Sequence, residues 1–267
     1  MIYGGKMISI LLSCYKSNFD FLKEQIDSII NQTEKDWELL IYNDGTDRLS
    51  DFLIENYKDK RIKYCSDGHK GCVGAFNFLF KKAKGEYIAI CDHDDIWEDD
   101  KLEVEKAYLD SHPEVDCVFG WLRWFGEKEK TEAFHISDKA ISVALNFYQP
   151  IKNPTAMFRK NKFGLNDCPF DKASDFWYWA KYKDRYYHLI EWVMVNYRRH
   201  AGELTKDKTA FRENSAKIIQ KNLKEELGCE LSLDICRKLD RYSKEYDEDA
   251  LAYTMGLLAI KKQKEEE

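Results

Sequence analysis

No stretch of this sequence is long and apolar enough to cross a bilayer. Its longest run without a charged residue, Ala140 to Ile151, falls well short of the roughly 18 to 20 residues a spanning helix needs. A positive charge excess is missing too. Lysine and arginine number 42 against 48 aspartate and glutamate, a net charge of −6, so no global cationic field draws the chain to nucleic acid. There is no C-x-x-C pair among the eight cysteines (Cys14, Cys65, Cys72, Cys91, Cys117, Cys168, Cys229, Cys236), and their neighbours are mostly apolar. That argues against a zinc site or a disulfide framework and for reduced thiols. The opening MIYGGKMISILLSCYK has neither a basic leader nor a small-residue cleavage site. Its apolar run reads as a strand, and the chain is expected to stay inside the cell. Internal repeats are absent, and the one biased segment, KKQKEEE, reads as a solvated end.

What is present is enough for a large core. The 267 residues are 44% hydrophobic and 14% aromatic, which excludes wholesale disorder and fits one large domain or a domain with a modest appendage. The first half alternates apolar runs with helical patterns, the sign of a mostly parallel sheet covered by helices. Strands are expected at Met7 to Leu12, Trp37 to Tyr42, Arg61 to Cys65 and Tyr87 to Cys91. Between them, Leu22, Ile26, Ile29 and Ile30 share a helical face behind a Ser17-x-x-Asp20 capping box. Leu49, Phe52, Leu53 and Tyr57 give a second helix, and Ala75 to Ala83 a third, stopped at Gly85. A further strand is expected at Val115 to Phe119, then irregular and antiparallel structure to Asn153. A helix is expected from Asp175 to Lys183, one or two strands from Tyr187 to Tyr197, and three helices after Thr205.

In parallel α/β sheets, ligands gather beyond the carboxyl ends of the strands. Three such ends carry polar groups: Ser13-Cys14-Tyr15, Asn43-Asp44-Gly45-Thr46-Asp47 and Asp92-His93-Asp94-Asp95. Three carboxylates within four residues repel one another unless they share a cation, and hard oxygen ligands point to Mg2+ or Mn2+. The alternative is a loop with Asp95 or Asp99 capping the helix that holds Leu102; His93 reads as a solvent-facing spacer. Asn43-Asp44-Gly45-Thr46 is either a tight turn or a nucleotide contact in which Asp44 accepts the imino hydrogen of a pyrimidine and Gly45 admits the backbone. Tyr15 borders that base or is an ordinary loop aromatic. The stretch Gly68 to Asn77 fits neither the Rossmann fingerprint nor the Walker A loop, so hydride transfer and ATP hydrolysis lose support. Within it Lys70 is a candidate phosphate contact and Asn77 a candidate brace for the acidic loop, beside the plainer readings of a solvated lysine and a helix-surface asparagine.

Taken in order, SCYKS, WELLIYNDGTD, a GxxxxxN helix, GEYIAICDHDDIWEDDKLE, SDFWYW and YRRHAGELT resemble the family 2 glycosyltransferases of the GT-A fold, especially bacterial enzymes that build surface polysaccharides. The resemblance spans about Met7 to Thr205. It implies an α/β fold with a Rossmann-like, mostly parallel central sheet flanked by helices. Residues 1–204 would form the catalytic domain, with a nucleotide-binding half at about 7–119 and an acceptor half at 120–204, and residues 205–267 a C-terminal helical extension. It implies that Asp44 binds the base, that Asp92 lies near the ribose, that Asp94 binds Mn2+ or Mg2+ with the diphosphate, and that Asp95 supports them. Ser13, Tyr15, Lys70 and Asn77 complete the donor site. Tyr197-Arg198-Arg199-His200 brings His200 to the metal and an arginine, taken as Arg199, to the diphosphate. Asp175 becomes the catalytic base, with Asp171 in reserve because Ser174 stands where the family usually has glutamate. Ser13-Cys14-Tyr15 also departs from the family, which commonly has proline before the aromatic residue.

The implied reaction is a single inverting displacement. A metal-held nucleoside diphosphate, UDP or dTDP, leaves the sugar as Asp175 takes the proton of a saccharide or lipid-linked saccharide hydroxyl. The alternative reading of Asp175 is a helix N-cap, and among Trp121, Trp124, Phe125, Trp177, Tyr178 and Trp179 only Trp177 is expected to line the acceptor side, core packing explaining most aromatics. The helical tail packs on the domain, pairs with a second subunit or rests on a membrane, which would place the enzyme at the inner membrane face. Two other functions are weighed: a Mg2+-dependent phosphatase-like phosphotransferase, whose Asp-x-Asp would ordinarily follow the first strand, and a catalytically silent sugar-nucleotide-binding module.

Overall fold

The computed structural model describes residues 6–201, 208–228, 230–241 and 244–266; Cys229, the expected boundary at residue 204 and the Glu203-Leu204-Thr205 end of the last motif lie outside them. The N-terminal half alternates as its apolar runs require: β1 (Ile8–Cys14), α1 (Phe19–Asn31), β2 (Trp37–Asn43), α2 (Leu49–Asn56), β3 (Ile62–Cys65), α3 (Gly71–Lys82) and β4 (Tyr87–Cys91). There follow β5 (Ile96–Trp97), α4 (Lys101–Ser111), β6 (Cys117–Gly126), β7 (Lys130–Glu132), α5 (Asp138–Ala144), β8 (Met157–Arg159), α6 (Ser174–Lys181) and β9 (Tyr187–Arg199). The chain then continues into α7 (Lys208–Leu227), α8 (Leu233–Leu239) and α9 (Glu248–Glu266). None of the helices is long and apolar enough to cross a membrane, among the described residues.

One nine-stranded sheet runs β3-β2-β1-β4-β8-β6-β9-β5, with β7 on β6. Strands β3, β2, β1 and β4 are parallel; β7 adds an antiparallel pairing within the stretch where one was expected, and β8 and β5 add antiparallel pairings outside it. β6 is longer than the expected Val115 to Phe119, because its second half pairs in parallel with β9 across a bulge at Phe119 to Leu122. β1, β2 and β4 are buried over nearly their whole length, which is why they read as continuous apolar runs and not as alternations.

Local chemistry corrects two expected caps. Asn18, not Ser17, caps α1, its side chain accepting from the Asp20 and Phe21 amides at 2.8 and 3.2 Å. Neither Asp95 nor Asp99 caps α4, whose N-cap residue is Asp100, without a side-chain bond. The buried polar side of α1 has another task. Ser28 Oγ accepts from the Trp97 amide at 3.1 Å, while Gln32 donates to the Glu98 carbonyl at 2.6 Å and accepts from the Leu102 amide at 2.9 Å. These bonds fix the backbone that leaves the acidic loop.

The chain forms two compact units, and they do not divide at residue 204. The first holds the sheet, with a core built on Ile10, Leu12, Leu39, Ile41, Ala89 and Trp97. The second gathers 139–150 and 168–184 with the C-terminal helices around Phe147, Phe176, Ile219, Leu223, Cys236 and Leu258. A linear boundary misses this because two excursions from the sheet leave one core for another.

Within the first unit Lys101 and Glu105 are fully buried one helical turn apart, 2.7 Å from ammonium to carboxylate, with the ammonium 4.4 Å from the Trp97 ring centre. Burial pushes the Glu105 carboxyl up to about 7, against the pull of Lys101. Between an ordinary carboxylate value near 4.5 and about 7, the unfolded chain ionises Glu105 while the folded chain keeps the proton, so this residue removes stability as pH rises through that window. The loss amounts to about 3 kcal/mol at roughly 1.4 kcal/mol per unit. Urea midpoints at pH 5 and pH 7.5 should therefore differ more for the wild type than for Glu105→Gln. Equal differences in the two proteins would exclude this origin.

Candidate active site

Register places the three polar strand ends on one rim. In the parallel pairing, Cys14 lies beside Asn43 and Leu12 beside Cys91, so Tyr15, Asp44 and Asp92 leave β1, β2 and β4 at the same carboxyl edge. β2 and β3 lie to one side of β1 and β4 to the other, so this edge includes a topological switch point, where a ligand crevice is expected in such sheets.

The NDG segment is a turn and leaves its acid for other work. Asn43 Oδ1 accepts from the Gly45 and Thr46 amides at 3.1 and 2.7 Å, making the turn with its own side chain. Gly45 has φ +127°, and a β-carbon there would meet the Tyr15 ring at 3.2 Å, so both backbone and space demand glycine. Thr46 Oγ1 accepts from the Ser17 amide at 3.1 Å, tying the first loop to the second. Asp44 is 4% exposed; its Oδ1 accepts from the Lys70 amide and its Oδ2 lies 3.2 Å from His69 Nδ1. Tyr15, with its ring 5.1 Å from that of His69, borders this acid. Ser13 sits half-buried in β1 beside Tyr42.

The acidic loop is held from β9. Arg198 donates from Nε to the Asp94 carbonyl at 2.8 Å and from its backbone to Asp95 Oδ1 at 3.0 Å; its guanidinium lies 4.2 Å from the Phe21 ring and bonds Glu24. His200 Nε2 is 2.9 Å from Asp94 Oδ2. Arg199 instead lies over Trp124, 4.5 Å from the ring centre, because successive strand residues project to opposite faces. The arginine that reaches the acidic loop is Arg198, while Arg199, expected at the diphosphate, projects from the other face of β9. Asp95 is fully buried, and its Oδ2 has no partner among the described residues. Burial, with repulsion from Asp92 and Asp94, raises its carboxyl well above the ordinary range. His93 is not the expected solvent-facing spacer. Its Nδ1 is buried without a partner among the described residues, and burial lowers its pKa, keeping the ring neutral near pH 7.

Lys70, at the N-cap of α3, and Asn77, within the helix, both have partners inside the protein. The Lys70 ammonium pairs with Asp67 at 3.0 Å, and it is the Lys70 backbone that reaches the nucleotide edge through Asp44. Asn77 braces the Asn166 backbone, donating to its carbonyl at 2.7 Å and accepting from its amide at 2.8 Å, and not the acidic loop.

Asp175, Asp171 and Trp177 belong to the second compact unit. Asp175 stands in the first turn of α6, half-buried, with Oδ1 accepting from the Phe176 amide at 2.9 Å. The N-cap position itself is Ala173, so the expected alternative of an Asp175 cap does not hold. Ala173 takes the left-handed conformation at φ +62°, an uncommon one for alanine, directly ahead of this acid. Asp171 is exposed. Trp177 packs edge-on against Phe170 at 5.8 Å under Lys221.

Among the described residues no three His, Cys, Asp or Glu side chains close into a metal cage. Asp94 and His200 do meet, and an oxygen with an imidazole suits Mn2+ or Mg2+. Two protein donors fit an ion whose other ligands come from donor phosphates and water, the usual arrangement for nucleotide-bound Mg2+. The buried, mutually repelled carboxyls of the loop fit a cation as well.

Arg198 and His69 were the residues that sequence reading missed. The first is signalled by its spacing, two residues before His200 at the end of β9; nothing local in the sequence marks the second.

Comparison with known proteins is consistent along the chain. Residues 9–181 match the model of Glycosyl transferase family 2. An uncharacterized glycosyltransferase of Methanocaldococcus jannaschii is 27% identical over 207 residues, 72% of this chain and 70% of that protein. The UDP-Glc:alpha-D-GlcNAc-diphosphoundecaprenol beta-1,3-glucosyltransferase WfaP of Escherichia coli is 26% identical over 235 residues, 84% of this chain and 87% of WfaP. Among solved structures, S. aureus TarS 1-349 in complex with UDP-GlcNAc superposes with a TM-score of 0.64 at 14% identity, covering 96% of this chain and 81% of that one. The mannosyltransferase PcManGT of Pyrobaculum calidifontis, in complex with GDP-Man and Mn2+, gives 0.60 at 15%, covering 97% and 74%. At such identities the likeness shows the fold, and it is the expected GT-A fold.

Proposed function

The chain belongs to glycosyl transferase family 2, and from that premise we propose that it is an inverting, divalent-metal-dependent enzyme moving a sugar from a UDP- or dTDP-sugar to a hydroxyl of a saccharide or lipid-linked saccharide in surface polysaccharide synthesis. The observation that carries this reading is the shared rim of β1, β2 and β4, which brings Tyr15, Asp44 and Asp92 to one edge. The names of relatives such as WfaP support a UDP-linked donor and a diphosphoundecaprenol-linked acceptor.

In this reading Asp44 accepts the imino hydrogen of the base, Gly45 admits the nucleotide close to the backbone, and Tyr15 borders the ring. Asp92 faces the ribose, and Ser13 lines the same edge. Asp94 and His200 hold Mn2+ or Mg2+, which when bound neutralises charge growing on the departing diphosphate. Arg198 and Asp95 keep the loop in place beneath them. Asp175, matched to the family's base position, accepts the proton of the acceptor hydroxyl as that oxygen attacks the anomeric carbon opposite the leaving group, with Asp171 in reserve. One displacement inverts the centre. Trp177 is assigned to the acceptor side, and α7 to α9 pack around a core shared with 139–150 and 168–184.

Family membership sets aside the phosphatase-like reading. Transfer is tested by following nucleoside diphosphate release from a panel of UDP-, dTDP- and GDP-sugars with Mn2+ and saccharide acceptors. Release from UDP- or dTDP-sugars, dependent on acceptor and cation, is the expected result. Nucleotide binding without turnover on any acceptor would return the silent-module reading.

A further inference from the structure

His69 makes the contacts at this edge that the base assignment gives to a pyrimidine. Its Nδ1 is 2.7 Å from the Asp44 carbonyl and 3.2 Å from Asp44 Oδ2. Both of those atoms only accept, so Nδ1 carries the hydrogen and donates it to the acid assigned to the base. The imidazole plane lies against Tyr15, with centroids 5.1 Å apart and 32° between the planes. A flat heteroaromatic ring with its N–H on Asp44 and tilted against Tyr15 mimics the hydrogen-bonding edge of a nucleobase.

Two glycines frame the segment that carries it. Gly68 at φ +75° and Gly71 at φ +68° bracket His69 and Lys70, and a β-carbon at either glycine would meet nothing within 4 Å. The His69 side chain is 63% exposed, whereas the Asp44 side chain it touches is 5% exposed. The contact is therefore an exposed ring laid on a buried acceptor. The other Asp44 oxygen is already engaged by the Lys70 amide from the same segment.

We propose that His69 is a self-plug of the base site, a residue that sets base specificity by competing with the incoming nucleobase for Asp44 and Tyr15. The inference rests on the assignment of Asp44 to the base. A base that brings its own N–H to Asp44 replaces what it displaces. One with only an acceptor at that edge displaces the imidazole and leaves the buried carboxylate short of a donor. The plug lowers every nucleotide's apparent affinity by the fraction of time the site stands closed.

Titration calorimetry of UDP and CDP with Mn2+ on the wild type, His69→Ala and Asp44→Ala tests this. His69→Ala should bind UDP roughly three- to tenfold more tightly, since the competing contact is gone, and should discriminate less between UDP and CDP. Asp44→Ala should bind UDP more weakly than the wild type. On adding UDP to the wild type, the His69 ring 15N resonances should move as Nδ1 loses its acceptor. If His69→Ala weakens UDP binding or leaves it unchanged while Asp44→Ala weakens it, the plug is wrong and the base assignment stands. If Asp44→Ala leaves UDP affinity unchanged, both fall.

Discussion

Asp94→Ala is expected to lower turnover about a thousandfold at saturating donor and acceptor, an effect of the size seen when one stabiliser of transition-state charge is removed. Asp94 is assigned as one of two protein donors to the cation, and it also fixes the second by holding His200 Nε2 at 2.9 Å. Its loss thus removes one ligand and frees the other. The fold should survive, because Asp94 is half-buried and the loop keeps the Arg198 bonds to the Asp94 carbonyl and to Asp95. The check is nucleoside diphosphate release against Mn2+ concentration, with circular dichroism to confirm folding. Activity within tenfold of wild type at any Mn2+ level would remove Asp94 from the metal.

Asp175→Asn should cost about two to four powers of ten in kcat and leave UDP affinity unchanged, since a general base contributes on the order of a hundred- to ten-thousandfold and asparagine cannot take a proton. The substitution is nearly isosteric. Asparagine keeps the oxygen that accepts from the Phe176 amide, so α6 should remain intact. An unchanged kcat would move the base to Asp171, tested in turn by Asp171→Asn.

Much of the nucleotide half is legible in the sequence, because buried parallel strands write themselves as apolar runs and their carboxyl ends as polar breaks. YIAIC followed by DHDD is that pattern in its plainest form, and the structure buries all five strand residues and leaves Asp92 and Asp94 half-buried at the rim while Asp95 is buried. The second half is less legible for a physical reason. Strands β8 and β9 return from excursions, and 139–150 with 168–184 join the C-terminal helices in their own core, a choice made by long-range packing that no local period records.

The site shows the same division. Asp44, Asp92 and Asp94 follow strands whose register is fixed by their burial, so their common edge could be foreseen. Arg198 and Arg199 are adjacent and chemically identical, and only the pleat of β9 decides which of them meets the acidic loop. His69 comes to Asp44 through the fold of a glycine-bracketed loop, which composition does not specify. Asn77 is spent on Asn166, 89 residues away, a partner that only the folded chain supplies.

The most direct measurement is the broadening of backbone amide resonances by Mn2+ added together with UDP. Amides at Tyr15, Asp44, Gly45, Asp92 to Asp95 and His200 should broaden together. Those at the opposite strand ends, near Met7, Trp37 and Glu86, should stay sharp. Broadening centred on that opposite end, or scattered without a focus, would contradict a single nucleotide-sugar site at the carboxyl edge of the sheet.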